Sequence, residues 1–419
     1  MSRRVAINCF GLKSGCGGVA SYFSNIVSAF LDGSLAWEPR LFHGEKNVAE
    51  LDRVLPTGWQ KHAVFASPQD MCSRGRQHAI YFAPLGPYYP NPVPLPTVIT
   101  MADNQEVFFP HFFTDRQLMD RRRELHGSSL YCDAVITMSK YSAECLHKGY
   151  GVKRDKMQVC YAYLKESAPS QRPSAVIPER FIFYPANRWH HKNHCVLLEA
   201  IGYLRREKKA SINLVCTGAE MKGGFDLNAA ASQCGIADLV HDLGFVGNGE
   251  MTYLYQNAEA LVFPSLYEGF GYPILEAMRL GCPVITSTAG SLPEVAGTAA
   301  TYFDPASSAD LSDKLMSVWG NEQKKKELAK AGHKQAAVFS HDNFVKAHND
   351  AFNDAIEQYS CLKYLARRHI VKRAREATLR VKEALRGPRY LSPLPLPVNS
   401  ISSRNDTMKE PFPSYVRVE

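Results

Sequence analysis

Two glutamates that could bind a ligand, Glu268 and Glu276, stand on either side of a glycine–phenylalanine–glycine turn. Glycines let the backbone approach a ligand closely, and a helix that begins directly after them presents about half a positive charge at its N-terminus. A phosphate is the ligand expected there. A carboxylate in the first turn of that helix, here Glu276, can accept hydrogen bonds from two hydroxyl groups, as from a ribose. Either glutamate alone could be a solvated surface group, but the pair around the turn predicts a binding site.

Basic side chains crowd a second loop, in the run YPANRWHHKNHCVLLEAI (184–201). Arg188 and Lys192 follow an apolar, strand-like stretch, and their charges could neutralise a diphosphate leaving group as it departs. The three histidines of the loop lack an accompanying acidic ligand, so the sequence does not favour a zinc site. The alternative is a solvated basic loop. The basic loop is expected at the same sheet edge as the glutamate turn, which favours a binding role over a solvated loop.

The elements around the glutamate turn predict how it is positioned. Short apolar runs, ALVF (260–263) and PVIT (283–286), lie before and after it. Pro273 suits the first turn of a helix, and Gly281 suits the position just past a helix end. The pattern is therefore strand, turn, helix, strand, which is one crossover of a parallel sheet. Ligands of such sheets bind at the carboxyl ends of the strands.

A glycine-rich run, KSGCGGVASYF (13–23), follows the first strand-like run of the chain. It does not match the G-x-G-x-x-G dinucleotide fingerprint, which argues against a standard NAD site and against an oxidoreductase. Flexible backbone at Gly17 and Gly18 could still contact an acceptor or a phosphate.

Strand-like runs alternate with helical segments in both halves of the 419-residue chain. This pattern and length predict an α/β protein with two doubly wound, Rossmann-like domains facing a cleft and a C-terminal helical tail. The predicted divisions are an N-terminal domain, a linker rich in Pro, Ser and Ala, a C-terminal domain, a returning helix, a basic amphipathic helix and a Pro/Ser-rich tail, at residues 1–167, 168–178, 179–340, 341–358, 359–387 and 388–419.

The net charge of +8 is concentrated near the C-terminus, where residues 361–386 hold nine Lys and Arg against two Glu. The rest of the chain is nearly neutral, which argues against nucleic-acid binding. Apolar residues recur every three or four positions in 361–386, which predicts an amphipathic helix. Such a helix can lie on an anionic membrane surface or pack on protein, and the sequence leaves both open.

The remaining composition favours a cytoplasmic protein. The eleven cysteines contain no C-x-x-C pair, which is typical of a reducing compartment. The apolar runs are shorter than a membrane span needs, and the first residues, MSRRVAINCF, lead directly into a strand-like run rather than a signal peptide.

Several of these stretches resemble one known family. The segment 244–304, which contains LVFPSLYEGFGYPILEAMRLGCPVIT, closely resembles the signature of the retaining glycosyltransferases of family 4 (glycosyl transferases group 1), with the GT-B fold. YPANRWHHKNH resembles the strand and loop that carry the family's Lys-Asn pair, while TMADNQEVFFP (100–110) and ITMSKYSAECL (136–146) resemble its N-terminal landmarks. The resemblance is dense over 180–305 and fades after about 358.

The resemblance assigns roles in the second domain, on the donor side. It implies that Glu276 binds the donor ribose, that Glu268 contacts the transferred sugar, and that Lys192 binds the diphosphate. Arg188 does not align exactly with the family's usual arginine, and it is expected to replace that arginine in function. Backbone contacts to the sugar, the phosphate and the base are implied at Gly269, Phe270, Gly271, Phe245 and Val246.

In the first domain, on the acceptor side, the resemblance places Gly17 and Gly18 at the donor phosphate. Ala102-Asp103 stands where many members have His-Asp. Asp103 is expected to contact the sugar or the acceptor, but the role of the family's histidine does not carry over.

The implied function is transfer of a hexose from a GDP- or UDP-sugar to a glycan or lipid-linked acceptor, with retention and in surface polysaccharide or lipopolysaccharide biosynthesis. The WHHKNH run is similar to mannosyl and related transferases. The chain has no D-x-D motif, so no metal or other cofactor is expected. Two alternatives stay open: a non-catalytic nucleotide-sugar-binding protein of the same fold, and a GT-B sugar-nucleotide epimerase. A peripheral position on the inner membrane face, through 361–386, is a further expectation.

Overall fold

The computed structural model describes residues 3–12, 17–68, 70–71, 77–86, 93–221 and 223–366. These residues form two compact units, which divide at Tyr163 and again at His341. The first unit contains the chain up to Tyr163 together with the helix His341–Gln358, and the second unit contains Leu164–Ser340. The stretch 168–178, predicted as a linker, has no helix or strand and falls within the second unit. The basic helix beyond residue 366 and the tail 388–419 lie outside the described residues.

The first unit is built on one parallel sheet in the order β3-β2-β1-β4-β5-β6-β7. Its central strands are apolar and buried along their whole length, as expected where helices cover both faces. The strands β1 to β7 are Arg4–Asn8, Glu38–His43, Ala63–Phe65, Ile80–Ala83, Thr97–Thr100, Ala134–Thr137 and Met157–Val159. The helices are Gly17–Leu31, Val48–Val54, Gln105–Phe108, Asp115–Arg121, Gly127–Tyr131, Lys140–Tyr150 and His341–Gln358, with a π-helical turn at Arg122–His126.

The helix His341–Gln358 supplies part of the first unit's core. Phe352 stacks on Phe30 with ring centroids 6.1 Å apart and packs edge-on against Phe82 at 5.2 Å. His348 is fully buried, and burial lowers its pKa to about 4. Its neutral ring donates from Nδ1 to the Phe344 carbonyl at 2.8 Å and accepts at Nε2 from the hydroxyl of Tyr22 at 2.8 Å. The C-terminal helix thereby fixes the helix that begins at the predicted glycine turn.

The second unit contains a parallel sheet in the order β10-β9-β8-β11-β12-β13. The glutamate turn joins two neighbours in this sheet, β11 and β12, as the sequence predicts. The strands β8 to β13 are Ile182–Pro185, Leu214–Thr217, Val240–Asp242, Ala260–Phe263, Val284–Ser287 and Ala300–Phe303. The helices are His194–Lys208, Leu227–Gln233, Asn248–Asn257, Tyr272–Arg279, Leu292–Ala296, Ser308–Val318 and Glu322–Ala336. The predicted α/β fold class, with two parallel sheets flanked by helices, is confirmed.

Candidate active site

The basic loop and the glutamate turn meet at one edge of the second unit's sheet. They follow β8 and β11, which are paired in parallel, so both lie at the carboxyl ends of the strands. Lys192 Nζ lies 2.5 Å from Glu268 Oε1, with 18% and 14% of the two side chains exposed. The ammonium also lies 5.4 Å from the centre of the Phe263 ring. Two residues that the sequence predicts in one site are therefore in direct contact.

A neighbouring asparagine holds the basic loop in place. Asn193 adopts a left-handed conformation with φ 57°, and its side-chain amide donates to the carbonyls of Pro264 and Pro305 at 3.1 and 2.9 Å. The amide of Leu266 donates to the His191 carbonyl at 2.8 Å. These bonds tie the loop after β8 to the loops after β11 and β13 and so hold Lys192 opposite Glu268. Asn193 is not among the residues predicted for the site, although the family's Lys-Asn pair, which contains it, could have indicated its role.

A third loop, after β12, supports the glutamate turn through hydrogen bonds and close backbone contact. Ser291 donates from its hydroxyl to the carbonyls of Glu268 at 3.0 Å and Phe270 at 2.7 Å. Gly290 has φ +63°, and a Cβ there would lie 2.7 Å from the Glu268 amide nitrogen. Only glycine allows this approach without displacing the turn. The sequence analysis does not predict Gly290 or Ser291, because the run AGSLPE contains no local pattern that indicates contact with the glutamate turn.

Within the turn, the two glycines have different reasons to be there. Gly271 has φ +110°, which favours glycine, and it directly precedes the helix Tyr272–Arg279. Gly269 does not require a left-handed backbone. The Phe270 side chain is 3% exposed and packs edge-on against Tyr272 and Phe339 at 5.4 and 5.6 Å. The Phe270 side chain is therefore part of the packed interior of the unit and is not open to a ligand.

Glu276 lies on the helix after the turn and is partly buried. Its Oε2 accepts from the hydroxyl of Tyr255 at 2.7 Å, while Oε1 has no hydrogen-bond partner among the described residues. Burial raises the pKa of the Glu276 carboxyl, and the Tyr255 bond opposes this shift. One oxygen is thus held in place and the other can accept hydroxyl groups of a ligand.

The predicted catalytic role of Arg188 is contradicted by its position. Its side chain is 1% exposed and is enclosed by other groups of the unit. The guanidinium donates to Asp242 Oδ1 at 2.6 Å, to the Ala186 carbonyl at 2.9 Å and to His194 Nε2 at 3.2 Å. A guanidinium enclosed in this way cannot contact a diphosphate. Arg188 instead ties the loop after β8 to the end of β10.

The other predicted site residues of the second unit lie beyond β10. The loop begins at Gly244, whose carbonyl accepts from the Gly218 amide at 2.8 Å. The side chain of Phe245 is 82% exposed, and Val246 is half-buried beside it. An exposed aromatic ring at the carboxyl edge of the sheet is consistent with a base-binding position, which stays a prediction.

The remaining predicted residues belong to the first unit. Gly17 and Gly18 open the helix Gly17–Leu31, and Gly17 has φ +46°. Asp103 follows β5 and accepts from Arg121 at 3.2 Å. The glycines and Asp103 follow strands of one parallel sheet, β1 and β5, and so lie on its carboxyl side.

The histidines of the basic loop show no metal-binding arrangement. His194 is buried beside the ring of Tyr184, and burial together with Arg188 lowers its pKa to about 3. The ring of His190 contacts the Gly223 carbonyl at 3.1 Å. Across the residues that the structure describes, no three His, Cys, Asp or Glu side chains are grouped closely enough to hold a metal ion. Within the same residues, none of the helices has the length and apolar character that crossing a bilayer demands.

Comparison with known proteins agrees with this fold. Residues 169–335 match the family model described as glycosyl transferases group 1. The chain is similar to the HepE protein of Anabaena, solved in complex with UDP and glucose, with a TM-score of 0.63 and 15% identity over 83% of this chain and 98% of that one. That likeness establishes a GT-B fold. The family match lies within the second unit, and it supports the predicted resemblance to the GT4-like glycosyltransferases there.

Two curated relatives resemble the chain in sequence. The O-antigen chain mannosyltransferase B of Escherichia coli is 25% identical over 268 residues, which cover 62% of this chain and 70% of that protein. The MMP alpha-(1->4)-mannosyltransferase of Mycolicibacterium hassiacum is 36% identical over 148 residues, about a third of each chain (34% and 35%). Both names describe mannosyl transfer by those proteins.

Proposed function

We propose that this protein is a retaining glycosyltransferase that moves a hexose, which we take to be mannose, from a nucleotide diphosphate sugar to a glycan or lipid-linked acceptor. The observation that carries the proposal is the contact of Lys192 with Glu268 at the sheet edge, just before the helix that bears Glu276. Lys192 supplies the positive charge for a diphosphate. The two carboxylates supply acceptors for the hydroxyl groups of sugar and ribose.

The diphosphate is bound by two sources of positive charge. One is Lys192, and the other is the N-terminus of the helix Tyr272–Arg279, whose amides are aligned with its dipole. Before ligand binding, the charge of Lys192 is balanced by Glu268. A bound diphosphate would share Lys192 with Glu268 and leave that carboxylate to accept from sugar hydroxyls. We propose that these groups stand in for the charge of a metal ion.

The transfer would proceed on one face of the sugar. The bond from the anomeric carbon to the phosphate oxygen breaks, and its electron pair stays on the phosphate. The acceptor hydroxyl oxygen bonds to the same face of that carbon, and its proton passes to the leaving phosphate oxygen. The products are a nucleoside diphosphate and a glycoside, and the step needs no covalent bond to Glu268.

Retention is tested on the first product. We expect an α-linked donor to give an α-linked glycoside, because attack and departure share one face. The one-bond C1–H1 coupling constant of the new glycosidic linkage, measured by NMR, distinguishes the two outcomes. An inverted linkage, or a glycosyl–enzyme adduct trapped on Glu268, would contradict the same-face route.

Mannose and a surface-polysaccharide acceptor are supported by the names of the relatives, among which the O-antigen chain mannosyltransferase B matches over 268 residues. The basic run 361–386 would allow attachment to an anionic membrane surface where a lipid-linked acceptor resides. Deletion of 361–419 followed by liposome flotation tests that part. If the shortened protein floats with the vesicles as well as the full chain does, the proposed membrane attachment through 361–386 is wrong.

Donor binding is tested by the carboxylate on the helix. We expect a matching nucleotide sugar to raise the melting temperature of the wild type by several degrees, since saturation at a hundred times Kd adds about 2.7 kcal/mol to the folded state. Glu276→Ala should abolish most of this shift, because it removes the acceptor proposed for the ribose hydroxyls. A thermal-shift screen of GDP- and UDP-sugars measures both.

The control for this screen is Glu207→Ala, an exposed glutamate near the end of the helix His194–Lys208. It should bind donor as the wild type does. A full shift in Glu276→Ala would mean that the donor site is elsewhere. Binding without any transfer to acceptors would favour the non-catalytic alternative.

A further inference from the structure

A buried tyrosine contacts the carboxylate of Glu276. Tyr255 lies on the helix Asn248–Asn257, is 2% exposed, and donates from its hydroxyl to Glu276 Oε2 at 2.7 Å. Its ring packs edge-on against that of Phe183, a residue of β8, with the ring centroids 5.0 Å apart. The sheet thus supports the ring, and the hydroxyl of the ring fixes one oxygen of Glu276.

The hydrogen bond between these two side chains has a fixed direction. Burial and the Glu276 carboxylate raise the pKa of the Tyr255 hydroxyl well above its usual range, so the phenol stays protonated. An ionised carboxylate can only accept hydrogen bonds, so the phenol donates. The same bond lowers the pKa of the Glu276 carboxyl against the effect of burial, and it favours the charged form that accepts from a ligand.

The orientation of the Glu276 carboxylate depends on this bond. In the part of the chain that the structure describes, Tyr255 is the one residue that hydrogen-bonds the Glu276 side chain. The basic residue of the same helix, Arg279, donates instead to the backbone carbonyl of Lys165 at 2.6 Å. Removal of the phenol hydroxyl would therefore leave the carboxylate without a partner that fixes its orientation.

A purely structural role for the pair explains the acidic residue at position 276 less well. A buried phenol needs an acceptor, but a backbone carbonyl or a neutral side chain can supply one. A carboxylate in that place costs free energy because burial removes part of its hydration. Titratable groups under such unfavourable burial are concentrated at functional sites. The choice of glutamate therefore favours a role in binding.

Glu276 lies on the side of its helix end that a ligand at the sheet edge can reach. The helix begins at Tyr272, directly after the glutamate turn, and the side chains of a helix tilt toward its N-terminus. The residue is half-buried, and its Oε1 has no hydrogen-bond partner among the described residues. With Oε2 held by Tyr255, Oε1 is the oxygen left to accept from a ligand.

From this geometry we propose that Tyr255 is a positioning residue for donor binding, which fixes one oxygen of Glu276 so that the other meets the ribose hydroxyl groups. That the ligand is a nucleotide rests on the proposed function. The role of Tyr255, and the preference for ribose over deoxyribose that it creates, go beyond that function. A nucleotide that lacks a ribose hydroxyl gains less from an oriented carboxylate, so it should depend less on Tyr255.

Isothermal titration calorimetry of the full chain with GDP and UDP identifies the tighter nucleotide, and its 2′-deoxy and 3′-deoxy forms each lack one ribose hydroxyl. We expect the wild type to bind at least one deoxy form about tenfold more weakly, the loss of one hydrogen bond to a charged group. Tyr255→Phe keeps the packing on Phe183 and removes only the hydroxyl. It should weaken the ribonucleotide severalfold and lower the ratio of the deoxy to the ribo dissociation constant.

Two controls separate positioning from a general effect on the fold. Tyr253→Phe removes the hydroxyl of a half-buried tyrosine on the same helix, and it should change neither the affinities nor their ratio. In a Glu276→Ala background, Tyr255→Phe should have no further effect on nucleotide binding, because it acts through the carboxylate. Melting temperatures without ligand show whether each variant is folded.

An unchanged ratio in Tyr255→Phe would overturn the proposal even if both affinities fall, because a residue that only supports the fold weakens all nucleotides alike. Wild-type binding of both deoxy forms as tight as that of the ribonucleotide would also overturn it. Failure of the proposed function has a different signature. In that case neither GDP nor UDP binds, or Glu276→Ala binds the nucleotide as the wild type does, and the role of Tyr255 falls with the donor site.

Discussion

Lys192→Ala should lower kcat/KM for sugar transfer by about a hundred- to a thousandfold, the loss typical when one preorganised charge donor is removed from a developing anion. The substitution removes the cation that lies 2.5 Å from Glu268 and faces the proposed diphosphate. Initial rates of nucleoside diphosphate release, with the donor found by thermal shift, measure the effect.

The control for charge is Lys208→Ala, at the exposed end of the helix that follows the basic loop. It should keep the wild-type rate. Lys192→Arg should recover only part of the lost rate, because a planar guanidinium does not replace a compact ammonium in a closed site. If Lys192→Ala retains most of its activity while remaining folded, the ion pair is structural and the proposed diphosphate site is misplaced.

The pair of buried Arg188 and partly exposed Asp242 should affect stability more than activity, and substitutions of its two members should have different effects. Asp242→Ala leaves a guanidinium that is 1% exposed without its counter-charge. Breaking a fully buried pair costs about 3–5 kcal/mol in free energy of unfolding, and because Asp242 is partly exposed we expect a loss at the lower end of that range. Arg188→Met should cost less, because it removes the buried charge and leaves Asp242, whose side chain is 24% exposed, to be hydrated.

Urea unfolding measures both variants, with the free energy read from the transition assigned to the second unit. Asp238→Ala is the surface control, since its pair with Arg205 lies in solvent. Its unfolding midpoint should stay close to that of the wild type. A larger loss in Arg188→Met than in Asp242→Ala would show that the buried charge itself stabilises the fold.

Local patterns are sufficient to predict the meeting of Lys192 with Glu268. Each residue follows an apolar run that ends in a loop, and carboxyl ends of parallel strands share one edge. Arg188 follows the same run, and residue type alone suggests the same role for it. That prediction is wrong because its partner Asp242 lies 54 residues further along the chain. No local pattern states which loops an internal arginine joins.

Some strands are not predictable from the sequence, because contacts with distant parts of the chain determine them. In β2, EPRLFH, Pro39 and Arg40 interrupt the apolar pattern, yet it pairs in parallel with β1 along its length. Proline usually argues against an interior strand. The surrounding sheet overrides that preference. Conversely, the apolar run DLVHDLGFV (238–246) forms a strand only over Val240–Asp242, because Gly244 turns the chain with φ +60°.

The return of the helix His341–Gln358 to the first unit has a consequence for biosynthesis. The second unit, Leu164–Ser340, is one continuous stretch, whereas the first lacks Phe344, His348 and Phe352 until the ribosome has passed them. The later-made unit can therefore reach its native packing first. Until then the nascent N-terminal half exposes the apolar surface around Phe30 and Phe82 that Phe352 later covers. Chaperones bind exposed apolar surfaces of this kind.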